Sequence, residues 1–305
     1  MAKRKRHCTG VSIAGHTLRI VALSRTSAGV SLSALVCVDL PQAQTSTYLD
    51  EEWRNALQDG LQRAQRQATA AFAQPLLALD NSLVHLKRRP LLPGPPQEQR
   101  QHLLWEAGHF LHSPLSEYGV DCALGTDWGF VVAVRRSVLA HYSHVFKAAG
   151  MAGLDYDIAP FALANALEGI GLNTAEEHQL IIDVSASGAS AALLNRGILQ
   201  DAVGCTWERG LNLEAQLDDL GSHLQPLLET DGKPVKPARI WLTGAASLRS
   251  EWLAALQERF PGPTEPLDPF RGLNQASLDG ADSELLEAAP AFAVPAGLAY
   301  RGISP

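Results

Sequence analysis

One short pattern of strands and turns occurs twice in the sequence, about half a chain length apart. Residues 10–39 predict strand, small-residue turn, strand, glycine-containing turn and strand, and residues 179–204 predict the same order. In both copies a turn rich in small residues follows an apolar run, SIAGH in the first and DVSASG in the second. Such turns point backbone N–H groups into a concavity that suits phosphate. The duplication therefore predicts two related halves that face a cleft.

Composition limits the kind of protein and the kind of partner. The chain has 305 residues, of which 46% are hydrophobic and 19% charged, so it can form one large or two medium packed domains. Its net charge of −7 argues against nucleic acid as the main partner. Four cysteines without CxxC spacing are typical of a reduced, cytoplasmic protein.

The chain shows no candidate for a membrane-spanning segment, because no apolar run reaches about 18 residues. Basic residues are concentrated at its start, where Lys3, Arg4, Lys5 and Arg6 lie next to each other. Residues 1–9 are predicted to form a disordered basic tip. The alternative is that this tip contacts anionic lipid head groups.

Between the two copies, the order of predicted elements suggests an insertion. Helices are predicted at 50–73, 97–112 and 137–149, and strands at 76–80 and within 118–135. We expect a first lobe from 10–75 and 153–178, an inserted subdomain from 76–152 and a second lobe from 179–305. The last helix, at 288–302 with an interruption at Pro295, is expected to pack back towards the first lobe.

Seven segments in one order resemble the type IV pilus assembly protein PilM family, within the actin-like ATPase superfamily. They include VVAVRRSVLAHYSHVFKAAGM, IIDVSASGAS, WLTGAASL, the DPF turn and APAFAVPAGLAYRG. The resemblance runs from Gly10 to Gly302. It implies an α/β, actin-like (ribonuclease H-like) fold that is duplicated into two lobes. It also implies an inserted α+β subdomain where FtsA-like proteins carry theirs.

The resemblance further implies a cytoplasmic scaffold that lies beside the inner membrane. Members of this family bind the N-terminal cytoplasmic tail of the inner-membrane protein PilN, and through it they contact PilO and PilP. The assembly ATPase is a further candidate partner, and roles in pili, competence and twitching motility stay open. The tail is expected in a groove beside the insert, and helix 97–112 offers Trp105, Glu106 and His109 to line it.

The nucleotide site implied by the resemblance is degenerate in this sequence. The first phosphate loop of the family is approximately D-I-G-S-S-S-x-K, but here Ser12 replaces the Asp and Ala14 replaces the Gly. In the second loop Asp183 remains, whereas Ser185 takes a glycine position. The positions that the resemblance assigns to this site are Ser12, Ala14, Gly15, His16, Thr17, Arg19, Asp183, Ser185, Ala186, Ser187, Gly244 and Ala245.

These replacements predict weak or absent ATP binding and no hydrolysis. A missing carboxylate lowers the attraction for Mg²⁺, and each lost contact costs about 1–3 kcal/mol. No cofactor is therefore predicted. The alternative is that ATP still binds through Gly15, Thr17 and Arg19, with Asp183 serving Mg²⁺. Asp183 could equally accept hydrogen bonds from its own loop.

Other functions within the same superfamily stay open. One is an active ATPase of the same machinery or a sugar kinase, although the sequence shows no convincing catalytic Asp. A second is the cytoplasmic component of a type II secretion system, similar to GspL. A third is an FtsA-like polymer, which would need a C-terminal amphipathic helix that the residues after Tyr300 do not provide.

Overall fold

The computed structural model describes residues 7–27, 29–41, 50–68, 72–172, 178–208, 210–230, 233–260, 262–275, 278 and 284–303. The first lobe is built on a five-stranded mixed sheet. Its order is β3-β2-β1-β4-β8, with the first three strands antiparallel and the last two parallel to β1. The strands are β1 (His7–Ala14), β2 (Thr17–Thr26), β3 (Gly29–Asp39), β4 (Pro75–Leu79) and β8 (Asp155–Ile158).

The second lobe repeats this sheet strand for strand. Its order is β11-β10-β9-β14-β15, again with three antiparallel strands followed by two parallel ones. The strands are β9 (His178–Ser185), β10 (Gly188–Asn195), β11 (Ile198–Thr206), β14 (Arg239–Thr243) and β15 (Thr264–Pro266). The predicted fold class, a duplicated actin-like α/β fold, is thereby confirmed.

A three-stranded antiparallel sheet interrupts the first lobe after β4. Its order is β5-β7-β6, from β5 (Val84–Pro90), β6 (Tyr118–Leu124) and β7 (Trp128–Arg135). One face is covered by α2 (Pro96–Phe110), because the buried Leu103 and Ala107 of this helix pack on Cys122 and Val131. These elements form the inserted subdomain.

The predicted bounds of the insertion, 76–152, differ from those in the structure. Strand β4 pairs with β1 and so belongs to the first sheet. Helix α3 (Arg136–Ala148) packs its buried Tyr142 and Phe146 into the core that α1 (Glu51–Gln67) forms on the first sheet. The inserted part is therefore shorter than predicted, since an amphipathic helix such as α3 does not reveal in its sequence which sheet it will cover.

The C-terminal helix α7 (Ala293–Ile303) joins the first lobe and is buried along nearly its whole length. It contacts β1, β2, β4 and α4 (Ala159–Gly169). A Cβ at Gly297 would lie 1.7 Å from the carbonyl oxygen of Ala162, so only glycine permits this helix crossing. Pro295 lies in the first turn, where its missing N–H costs nothing, and the predicted interruption is therefore absent from the described helix.

The remaining elements complete the second lobe. Helices α5 (Leu213–Leu224) and α6 (Ser250–Arg259) bury Leu217, Leu220 and Trp252 against its sheet, and β12 (Glu229–Thr230) pairs with β13 (Lys233–Pro234). None of the described helices is long and apolar enough to cross a membrane. Residues 7–9 of the predicted tip belong to β1, and residues 1–6 lie outside the described part.

Candidate functional site

A small cavity lies between the two lobes, at the carboxyl ends of β1 and β9. It has a volume of about 60 Å³, which is the liquid volume of about two water molecules. Pockets that bind small molecules commonly reach roughly 300–1,000 Å³. The space between the lobes, where an actin-like fold would hold a nucleotide, is therefore smaller than a usual small-molecule pocket in this conformation.

Eight of the twelve positions assigned to the nucleotide site line this cavity. They are Ser12, Ala14, Arg19, Asp183, Ser185, Ser187, Gly244 and Ala245. The other four, which the lining does not include, are Gly15, His16, Thr17 and Ala186. The carbonyl oxygen of His16 accepts the N–H of Leu40 at 2.7 Å, so the first turn is tied to the chain that follows β3.

Among the described residues, Asp183 is one of two carboxylates that line the cavity, the other being Asp80. Its Oδ1 accepts a hydrogen bond from the Thr243 hydroxyl at 2.9 Å, and burial raises its pKa to about 6, although Thr243 and Arg19 act in the opposite direction. The second loop is shaped by Ser185, whose Oγ lies 3.3 Å from the N–H of Ser187 and donates to the carbonyl of Gly188 at 3.0 Å. The hydrogen bond to Asp183 therefore comes from Thr243 on β14.

Gly244 is required by the backbone at the end of β14. Its φ is +82°, and a Cβ there would lie 2.3 Å from the carbonyl oxygen of Val184. Glycine is needed for the conformation and for close contact with β9, whether or not a nucleotide binds. A glycine at this position is therefore weak support for an adenosine site.

Two further residues of the cavity, Asp80 and Asn81, are not among the positions that the resemblance assigns to the site. They follow the buried strand β4 directly, and that position was the available signal, since polar residues after a parallel strand end at the carboxyl edge of the sheet. Asp80 accepts the backbone N–H of Ser82 at 2.9 Å. The amide of Asn81 donates to the carbonyl of Ala189 at 2.9 Å and contacts the hydroxyl of Ser190 at 3.0 Å. Asn81 therefore joins the first lobe to the second across the cavity.

A second and much larger cavity, which we call the insert groove, lies between the inserted sheet and the first lobe. Its volume is about 800 Å³. Apolar side chains of β7 and α4 form its walls, and charged side chains border it. The apolar residues include Val132, Val134, Phe161 and Ala164, and the charged ones are Arg100, Asp121, Asp157, Glu168 and Arg301.

The insert groove uses the face of the inserted sheet that α2 leaves free. In the β6–β7 register Cys122 pairs with Val131 on the α2 side, so the next pair, Asp121 and Val132, faces the groove. An extended peptide could lie between this face and α4.

The predicted groove residues Trp105, Glu106 and His109 lie on α2 and do not line the insert groove. Trp105 is 61% exposed and contacts the ring of His109 at 4.2 Å between centroids. Glu106 forms an ion pair with Arg89 of β5 at 3.2 Å. These three side chains form a separate surface on the outside of the inserted subdomain.

No protein-family model and no curated protein sequence matches the chain. Solved structures do match it. A chain of the PilM–PilN type IV pilus biogenesis complex superposes with a TM-score of 0.79 at 23% identity, covering 99% of this chain and 100% of that one. A protein of unknown function from Bacteroides thetaiotaomicron with an actin-like ATPase fold superposes with a TM-score of 0.51 at 11% identity, covering 93% and 96%.

The chain has the actin-like ATPase fold. The cytoplasmic domain of EpsL, an inner-membrane component of the type II secretion system of Vibrio cholerae, also shares this fold. It superposes with a TM-score of 0.50 at 13% identity, covering 77% of this chain and 81% of that one. The fold implied by the resemblance to PilM is thus confirmed over nearly the whole length of this actin-like chain.

Proposed function

We propose that this actin-like chain is a PilM-like scaffold of type IV pilus assembly, which holds the N-terminal cytoplasmic tail of a PilN-like inner-membrane protein. The observation that carries the proposal is the insert groove, in a chain that superposes end to end on a chain of the PilM–PilN complex. Under this proposal the protein is cytoplasmic and lies at the inner membrane through its partner. PilO and PilP are then indirect partners, and the assembly ATPase is a further candidate.

The insert groove has the chemistry that a short peptide needs. Its apolar walls provide burial for alternate side chains of an extended segment, which supplies affinity. Its charged border supplies partners for the polar groups at the ends of such a segment. The inserted sheet forms one wall of the groove, and α4, which buries Ala162, Leu163 and Ala166 in the core, forms the other.

We further propose that the interlobe cavity has lost strong ATP binding and does not support hydrolysis. Ser12 stands where the family has a carboxylate, and the cavity volume is about 60 Å³. The hydrogen bonds of Asn81 hold the two lobes together across it. A nucleotide would have to separate these groups before it could enter.

A role in type II secretion is the second candidate, because the fold of the EpsL cytoplasmic domain covers 77% of this chain. It would use the same fold to bind a different membrane component. Pilus, competence and twitching roles all fit the first candidate, and the neighbouring genes would separate them.

The experiment that tests the proposal compares two substitutions on opposite sides of the inserted sheet. The probe is a synthetic peptide with the sequence of the N-terminal tail of the PilN-like protein encoded in the same genome, titrated calorimetrically. Val132→Glu places a charge on the groove wall and is expected to abolish binding, whereas Trp105→Ala is expected to leave it unchanged. Binding that survives Val132→Glu and is lost with Trp105→Ala would assign the tail to the α2 surface instead.

A further inference from the structure

Three strands at the edges of their sheets carry the same arrangement, which we call the carboxylate cap. In each, an aspartate accepts the backbone N–H of the residue that follows it, at 2.7–2.8 Å. The pairs are Asp121 and Cys122 on β6, Asp157 and Ile158 on β8, and Asp201 and Ala202 on β11. In the described part of the chain, β6, β8 and β11 each end a sheet.

Each of these aspartates also lies beside an arginine from another element. The pairs are Asp121 with Arg100 of α2, Asp157 with Arg301 of α7, and Asp201 with Arg88 of β5. An unpaired N–H at a sheet edge invites another strand, and a carboxylate on that N–H blocks the pairing. The carboxylate cap therefore closes an edge against strand addition.

The two caps that border the insert groove differ in how firmly they are held. The Asp157 side chain is 5% exposed and forms an ion pair with Arg301, so its cap is held by packing and charge. The Asp121 side chain is 89% exposed, and 3.9 Å separates its Oδ1 from the guanidinium of Arg100. A ligand that displaces Asp121 has to replace only its hydrogen bond from the Cys122 N–H, because a solvated carboxylate gains almost nothing from so distant an ion pair.

The backbone of β6 presents a regular row of groups towards this open edge. The Cys122 N–H bonds to Asp121 and the Cys122 carbonyl accepts from Arg100 at 2.9 Å, so both groups point away from β7. Because orientation alternates along a strand, Val120 and Leu124 present their N–H and carbonyl groups in the same direction. This row provides the hydrogen bonds of an additional strand once that strand replaces Asp121 at the Cys122 N–H and Arg100 at the Cys122 carbonyl.

We propose that an extended peptide segment adds to β6 as a fourth strand of the inserted sheet, while β8 stays closed. The segment displaces the Asp121 carboxylate from the Cys122 N–H and the Arg100 guanidinium from the Cys122 carbonyl. The inference rests on the proposed function, in which the insert groove takes a partner's tail. It adds the strand that is used, the backbone groups that bind and the two side chains that compete with the ligand, Asp121 and Arg100.

The test uses the full chain and the same synthetic tail peptide, with two readouts. Hydrogen exchange with and without peptide reports which amides become protected, and titration of variants reports affinity. Asp121→Ala removes the competing carboxylate and is expected to tighten binding about threefold to tenfold, the equivalent of one modest hydrogen bond. Val120→Pro removes an outward N–H and is expected to weaken binding by a similar factor.

Val120→Ala, which keeps the N–H, is the matched comparison for the proline variant, and the proline variant is expected to bind the peptide more weakly than the alanine variant does. Hydrogen exchange of the wild-type protein needs no substitution, so it shows whether the peptide adds to β6 even if Val120→Pro fails to fold. Protection of Val120 and Cys122 by the peptide supports the proposal. Peptide binding with protection on β8, or with none on β6, overturns this inference and leaves the proposed function standing.

Two further results would also count against the inference. Self-association of Asp121→Ala without a gain in peptide affinity would show that the cap only prevents aggregation. A complete lack of binding to the wild-type chain would remove the proposed function, and the inference with it.

Discussion

Replacing Asp183 by asparagine should stabilise the protein at neutral pH. The Asp183 carboxyl has a pKa of about 6 in the folded chain, raised by burial from 3.8. When a group binds its proton more tightly in the folded state, the protein loses stability as the pH rises from the unfolded pKa to the folded pKa. The loss therefore begins near pH 4 and is complete above about pH 6.

The magnitude follows from the two pKa values. The difference between 3.8 and about 6 corresponds to about 3 kcal/mol in the free energy of unfolding. Asparagine avoids this cost and keeps an oxygen that can accept from the Thr243 hydroxyl. The free energy of unfolding of Asp183→Asn should therefore exceed that of the wild type by about 1–3 kcal/mol at pH 7.5, and the difference should be close to zero at pH 3.5.

Urea unfolding followed by tryptophan fluorescence, from pH 3.5 to 8, measures this difference. Asp59→Asn on the exposed side of α1 is the matched control, and it should show no such pH-dependent gain. An Asp183→Asn protein that is less stable than the wild type at pH 7.5, or a gain that does not change with pH, would refute the reasoning.

Two other predictions concern the walls of the interlobe cavity. Asn81→Ala should lower the free energy of unfolding by about 1–3 kcal/mol and speed amide exchange around Ala189, because it removes the hydrogen bonds that Asn81 makes to the second lobe. The control Ser82→Ala removes a hydrogen bond to the neighbouring Asp80 and should leave exchange at Ala189 unchanged. In denaturant unfolding, Gly244→Ala should lower the free energy of unfolding clearly more than Gly272→Ala does. Both glycines have φ near +80°, but only a Cβ at position 244 meets a neighbouring backbone. Equal costs for the two glycine variants would contradict the close approach to β9.

The sequence predicts the fold more clearly than it predicts the functional sites. The two strand–turn–strand copies predict both sheets, because alternating apolar residues and small turns are local signals. The attachment of α3 to the first lobe depends on contacts between Phe146 and distant residues, which periodicity does not specify. The inserted subdomain was consequently predicted too long.

The sites depend on which faces come together, and this is a tertiary property. Trp105 is conspicuous in the sequence, yet α2 covers the inserted sheet from the side opposite the insert groove. Asn81 is a single polar residue in a short turn, so the residues beside it in the sequence do not indicate that its side chain reaches Ala189. The aspartates of the carboxylate caps become meaningful only when the strands that carry them are known to be sheet edges.

The proposed scaffold should bind a membrane partner's tail without the help of ATP. Calorimetric titration of the PilN-like tail peptide into nucleotide-free protein, repeated with millimolar Mg-ATP, tests it most directly. We predict binding in the insert groove with the same dissociation constant in both titrations. Binding that appears only with Mg-ATP, or that is absent from both, would contradict the account.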